Sequence, residues 1–250
     1  QNPGWELQVT SAGAPVPRTC FPAPGLPGST PRGAFFIGGP AWFELGPYRF
    51  QSHFDGYGRT NRFELLDREV CYTSAWLDTG AFRSAQAAAT AGDAPRGIFF
   101  EETAPPRPAC PLLQPMCDMR APADNNWVNL VEVGGEALLL SDTSTMVRMD
   151  PVTLAFSGVK PWADDKSVLP GMVQPNWTSP AHVGMVGSAH PLRRPGTTEL
   201  VEVLVETPFL SSVQHSIIDL YAFDAATRRP QVRRRLASLR ADASQYFHSF

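Results

Sequence analysis

Twenty-five prolines and 20 glycines punctuate this 250-residue chain, and that density limits what it can become. Each proline fixes φ and removes a backbone donor, so long helices are excluded and regular elements must be short. Between the breaks, aromatic and β-branched residues alternate with polar ones, the period of half-buried strands. Two such arms, RTNRFELL and EVCYTSAW, flank Asp67-Arg68. WVNLVEV and EALLLSD flank Gly134-Gly135, the clearest hairpin. Thr145 to Met149, Asp150-Pro151 and Thr153 to Phe156 give another. A strand through the 180s ending at His190, ELVEVLVET (199–207), SIIDLYAF (216–223) and QVRRRLAS (231–238) complete the series. Ser84 to Thr90 allows a helical turn or two, and residues 103 to 125, with six prolines, read as a surface excursion. The pattern predicts an all-β chain: sandwich, barrel or propeller. The repeated Asp-Pro and Asp-Ala turns of MDPVTL and FDAATR point to repeated blades.

Composition narrows the function. Hydrophobic residues make up 43% and charged residues 18%, enough for a buried core. Net charge is −3, so nothing calls for nucleic acid as a partner. No apolar run is long enough to span a membrane as a helix. The four cysteines, Cys20, Cys71, Cys110 and Cys117, are too sparse for a disulfide scaffold; Cys110 and Cys117 share a Pro-rich loop and could close a small ring or stay free. Arg228, Arg229, Arg233, Arg234 and Arg235 straddle a turn and read as a solvated hairpin, or else as a patch for acidic lipid. Phosphate-binding glycine loops, nucleophile elbows and Cys-x-x-Cys pairs are absent.

That leaves the five histidines. His190 stands in Ser188-Ala189-His190-Pro191 and His248 in Tyr246-Phe247-His248-Ser249-Phe250, both in short apolar, strand-like settings. His182 precedes His190 by eight residues, which on a continuous strand puts both on one face. His53 belongs to His53-Phe54-Asp55-Gly56, read as a structural turn with Asp55 satisfying backbone donors and Gly56 at positive φ. His215 precedes a strand and is expected to be exposed. A metal ligand so near the last residue suggests the first part of a longer protein.

These segments resemble the carotenoid cleavage oxygenases. HFDGYGRTNRFELLDREVCYTSAWLDT is similar to that family's Phe-Asp-Gly segment and hairpin. NLVEVGGEALLLSDTSTMVRMDPVTL is similar to its Gly turn, acidic residue and Pro-x-Thr-Leu turn. GSAHP and YFHSF resemble its first two iron-ligand motifs. The order and spacing match from about residue 35 onward. The resemblance implies a seven-bladed β-propeller with about half of the blades present: residues 1–33 an extended Pro/Gly-rich lead-in, residues 34–250 the N-terminal part of the propeller. It implies Fe(2+) held by four histidines, His190 and His248 being the first two. It also implies a carboxylate that hydrogen-bonds an iron-bound imidazole. The family uses Glu there and this chain has Asp142, one methylene shorter, so its carboxylate sits about 1.5 Å farther back and orients the ring less firmly.

Neutral imidazoles suit Fe(II) and keep the metal's charge. The implied reaction is cleavage of a carbon–carbon double bond of a carotenoid or apocarotenoid by O2 to two carbonyl products. The protein supplies geometry, an apolar tunnel and exclusion of water. Peripheral membrane contact would help such an enzyme collect its substrate. The alternative is a propeller-derived binding or scaffold protein without catalysis, and a third reading is a small β-domain with a two-histidine metal site. The cellular address, plastid or secretory route, is left open.

Overall fold

The computed structural model describes residues 10–95, 103–109, 124–169, 172–208, 215–228 and 231–242. His248, Cys110, Cys117 and Arg229 lie outside the described residues. Eighteen strands are described. They are β1 (Thr19–Pro22), β2 (Gly33–Trp42), β3 (Glu44–Leu45), β4 (Tyr48–Phe50), β5 (Tyr57–Leu66), β6 (Glu69–Trp76), β7 (Thr103–Ala104), β8 (Asn129–Val133) and β9 (Glu136–Leu140). There follow β10 (Val147–Met149), β11 (Phe156–Val159), β12 (Asp165–Leu169), β13 (Met172–Pro175), β14 (His182–Gly187), β15 (Leu192–Arg193), β16 (Glu199–Pro208), β17 (Ser216–Asp224) and β18 (Arg234–Ala241). The single α-helix among the described residues, α1 (Gly80–Thr90), is longer than the turn or two expected. Thr79 caps it by accepting the Phe82 amide at 3.3 Å.

The chain divides into two compact units, residues 1–121 with 152–155, and 122–151 with 156–250. In the first, strands order β1-β6-β5-β2 and β3-β4-β7. The β5–β6 hairpin turns at Asp67-Arg68 as expected, with Arg68 at φ 58°. Phe43, Phe50, Tyr57 and Phe82 form its core with Leu45 and Ala85. Full burial of each large side chain stabilises by about 1.5–3 kcal/mol. The Phe-Asp-Gly segment is a short 3-10 turn (His53–Asp55), and Gly56 has φ −61°, not the positive φ expected. Its requirement is space, since a Cβ there would stand 2.5 Å from the Phe43 ring.

This unit holds a disulfide that the sequence reading did not anticipate. Cys20 and Cys71 are directly opposed in the β1–β6 register and joined as a disulfide. Sparse cysteines argue against a scaffold of many bridges, but one cross-strand pair needs only register. The pairing also places β1 within the Pro/Gly-rich lead-in.

In the second unit the sheets order β11-β10-β9-β8, β12-β13 and β14-β16-β17-β18, with β15 also on β16. Gly134 and Gly135 (φ 62° and 80°) make the two-residue turn of β8–β9 that their sequence demands. Val133, Leu138, Leu140, Met146, Trp162, Leu200, Leu204, Tyr221 and Phe223 pack as one core.

The arginine cluster is not a uniformly solvated hairpin. Arg233 is 5% exposed, its ion-pair partners are Asp164 and Asp165, and its guanidinium lies 5.0 Å from the Trp162 ring centre. Gln231 donates to the carbonyls of Asp224 (2.9 Å) and Thr227 (2.8 Å). Gln231 and Arg233 are thus spent on turn and core, and the last strand starts at Arg234 instead of Gln231. Among the described residues no helix is long and apolar enough to cross a membrane.

Candidate functional site

The strand expected to run to His190 stops at Gly187. Its ladder with β16 ends at Gly187↔Leu204 and resumes, through β15, at Leu192↔Val201. Four residues, Ser188 to Pro191, therefore stand opposite two, Glu202 and Val203. The chain must bow out of the sheet there, and His190, half-buried, is carried on the bow.

Leaving the ladder strips the bow of its usual backbone partners, and a buried amide without an acceptor is costly. Side chains replace them one by one. The Ser188 amide donates to Glu202 Oε1 at 3.1 Å. The Ala189 amide donates to Asp142 Oδ1 at 3.3 Å. The His190 amide donates to Ser188 Oγ at 3.1 Å. Pro191 has no amide proton to place. On the acceptor side, the Ala189 carbonyl takes a hydrogen bond from Asn129 Nδ2 at 2.9 Å. The Ala189 methyl is fully buried in the core, pinning the middle of the bow. At its base, a Cβ added to Gly187 would lie 2.6 Å from the Thr143 carbonyl oxygen.

Asp142 follows β9 and is 3% exposed. Asn126 holds its turn: Nδ2 donates to the Thr145 carbonyl at 2.5 Å, and Oδ1 accepts from Thr143 Oγ1 at 3.1 Å. Asp142 Oδ1 accepts the amide of Ala189, the residue before His190. Glu136, at the far end of β9, is engaged elsewhere, paired with Lys160 and Arg148.

Glu202 was missed by the sequence reading. It alternates with Leu200, Leu204 and Glu206 along β16, so it occupies the row that faces the core. Two buried glutamates sharing one strand face with two leucines were the signal available. It is 1% exposed, and Oε1 also accepts the Val203 amide at 3.2 Å. Its second oxygen, Oε2, is buried with no partner among the described residues. Burial pushes this carboxyl well above the ordinary carboxylate range, opposed by the two amides and reinforced by the charge of Asp142.

His182 does not join His190. The strand ends between them and is bulged between Gly184 and Val186, so the even spacing loses its meaning. His182 Nε2 bonds the His215 carbonyl at 2.8 Å, and the two rings lie 5.4 Å apart. His215 is half-buried, not exposed. Among the described residues one group of three metal-binding side chains is close-set, Cys20, Glu69 and Cys71, and there the two sulfurs are bonded to each other. Toward a metal, the residues at the bow fit as one imidazole on a backbone held at every amide.

Solved structures similar to this chain include a glutamate-to-aspartate variant of Synechocystis apocarotenoid oxygenase, at 20% identity and TM-score 0.60. The cobalt-substituted Synechocystis enzyme follows at 21% and 0.59. A chimera of that oxygenase with the retinal pigment epithelial protein also matches, at 20% and 0.60. Each match covers 97% of this chain and 45% of the other, so the chain spans under half the length of these proteins. The likeness carries the fold, and the all-β expectation of a partial propeller holds. No curated protein matches the chain. The family model described as "Retinal pigment epithelial membrane protein" matches residues 24–250, and the chain belongs to that family, the carotenoid cleavage oxygenases.

Proposed function

We propose that the protein is an iron(II)-dependent dioxygenase that cleaves a carbon–carbon double bond of a carotenoid or apocarotenoid with O2. His190 and His248 are two of its metal ligands, and Asp142 braces the first. The observation that carries this reading is the bow itself. A sheet gives up two rungs of its ladder at the residue that the family motif selects, and carboxylates, a hydroxyl and an amide are brought in to hold the strand out. Such a cost in burial is expected where a side chain must be presented at a fixed point. When bound, the iron supplies the activation of O2. This chain's share is to hold an imidazole still.

The test is iron content of the full-length protein after a chelator wash. His190→Ala should abolish retention. Iron at the wild-type level in that variant would sink the assignment. A wild-type protein that keeps no iron and cleaves no polyene would instead favour the non-catalytic binding role.

A further inference from the structure

The gap in the ladder is filled by a side chain that the family resemblance does not single out. Between Gly187↔Leu204 and Leu192↔Val201, the edge of β16 presents the Val203 amide to a partner strand that has bowed away. Glu202 Oε1 takes both that amide and the Ser188 amide of the bow. One oxygen thereby spans the break. On the next residue Asp142, in the turn after β9, accepts the Ala189 amide. Two buried carboxyls thus grip two successive amides immediately before His190.

We propose that Glu202 is a positioning residue for His190: its carboxyl replaces the missing ladder rungs and, together with Asp142, sets where the metal-binding imidazole stands. This rests on His190 being a ligand, as proposed above. The choice of Glu fits the geometry, because the side chain starts on the core face among Leu200, Leu204 and Tyr221 and must reach back across its own strand edge. Leucine, the residue its row repeats, has no acceptor.

The role depends on an oxygen at the right reach, and that separates two variants of the full-length protein. Glu202→Gln keeps an oxygen at the same distance. Glu202→Asp keeps the acid but withdraws it by one methylene. Iron retention against a competing chelator and hydrogen exchange of the Ser188 amide in the metal-free protein are the readouts. Glu202→Asp should weaken retention by about 10–100-fold, the range for residues that orient metal ligands, and speed Ser188 exchange by at least about tenfold. Glu202→Gln should stay within about threefold of wild type in both. Equal behaviour of the two variants, or loss in Gln with retention in Asp, would overturn the proposal. His190→Ala is the control that separates the two claims. If it keeps iron, the ligand assignment has failed. If it loses iron while Glu202→Asp keeps it, the positioning role alone has failed.

Discussion

Asp142 accepts the amide of Ala189 across 47 residues of sequence, bringing the turn after β9 onto the bow that carries His190. Removing the carboxylate would leave a buried amide unpaired beside a fully buried methyl. Asp142→Ala should cost about 1–3 kcal/mol of unfolding free energy. Asp142→Asn, which keeps an acceptor at the same reach, should cost less than half of that. Denaturant midpoints of the two variants check it; equal losses would mean that the negative charge, and not the hydrogen bond, is what the site uses.

Gly187 is predicted to tolerate no side chain. An added methyl would press on the Thr143 carbonyl oxygen at 2.6 Å, and backbone on backbone has little room to yield. Gly187→Ala should destabilise by about 1–3 kcal/mol and lower iron retention with it. A thermal melt at the wild-type temperature would refute the tight approach.

The Cys20–Cys71 bridge closes a separation of 51 residues. Chain-entropy arguments give it up to about 4 kcal/mol by restricting the unfolded state. Cys20→Ser or reduction by a dithiol should lower the denaturation midpoint of the first unit. Labelling with a thiol reagent after unfolding without reductant should find these two sulfurs blocked.

A pH effect follows from Glu206, which is 1% exposed. Burial first, and its hydrogen bond with Asp219 next, raise its carboxyl from the ordinary 4.5 to about 8, while the Ser179 amide and Lys166 pull the other way. The protonated form belongs to the folded state. Its contribution is complete below about pH 4.5 and is lost as pH rises through about 8, because the unfolded chain has already released the proton. Stability should therefore fall between those limits and level off above them. Glu206→Gln should flatten that slope; a slope unchanged in the variant would assign it to other groups.

Where the cause was local, the sequence was readable. Asp67-Arg68 and Gly134-Gly135 sit at the turns they predicted, because two-residue loops need left-handed backbone that few residues give. Strand alternation placed β5, β6, β8, β9, β16 and β17 to within two or three residues. The misread start of the last strand has a long-range origin. QVRRRLAS looked like a strand from its first residue, yet Arg233 is taken by Asp164 and Asp165 some 68 residues earlier in the chain. Neither propensity nor period records such a partner.

From its sequence alone the protein was committed to short antiparallel hairpins, to the family's motifs in order, and to His190 as the histidine to watch. Tertiary structure decided that the strand breaks before His190, that Glu202 and not only Asp142 holds the break, and that Cys20 meets Cys71. The difference is one of range. Turn and strand preferences are set by a residue and its immediate neighbours. Which carboxyl is buried, and which orphaned amide it meets, depends on segments that become adjacent only when the sheets have formed.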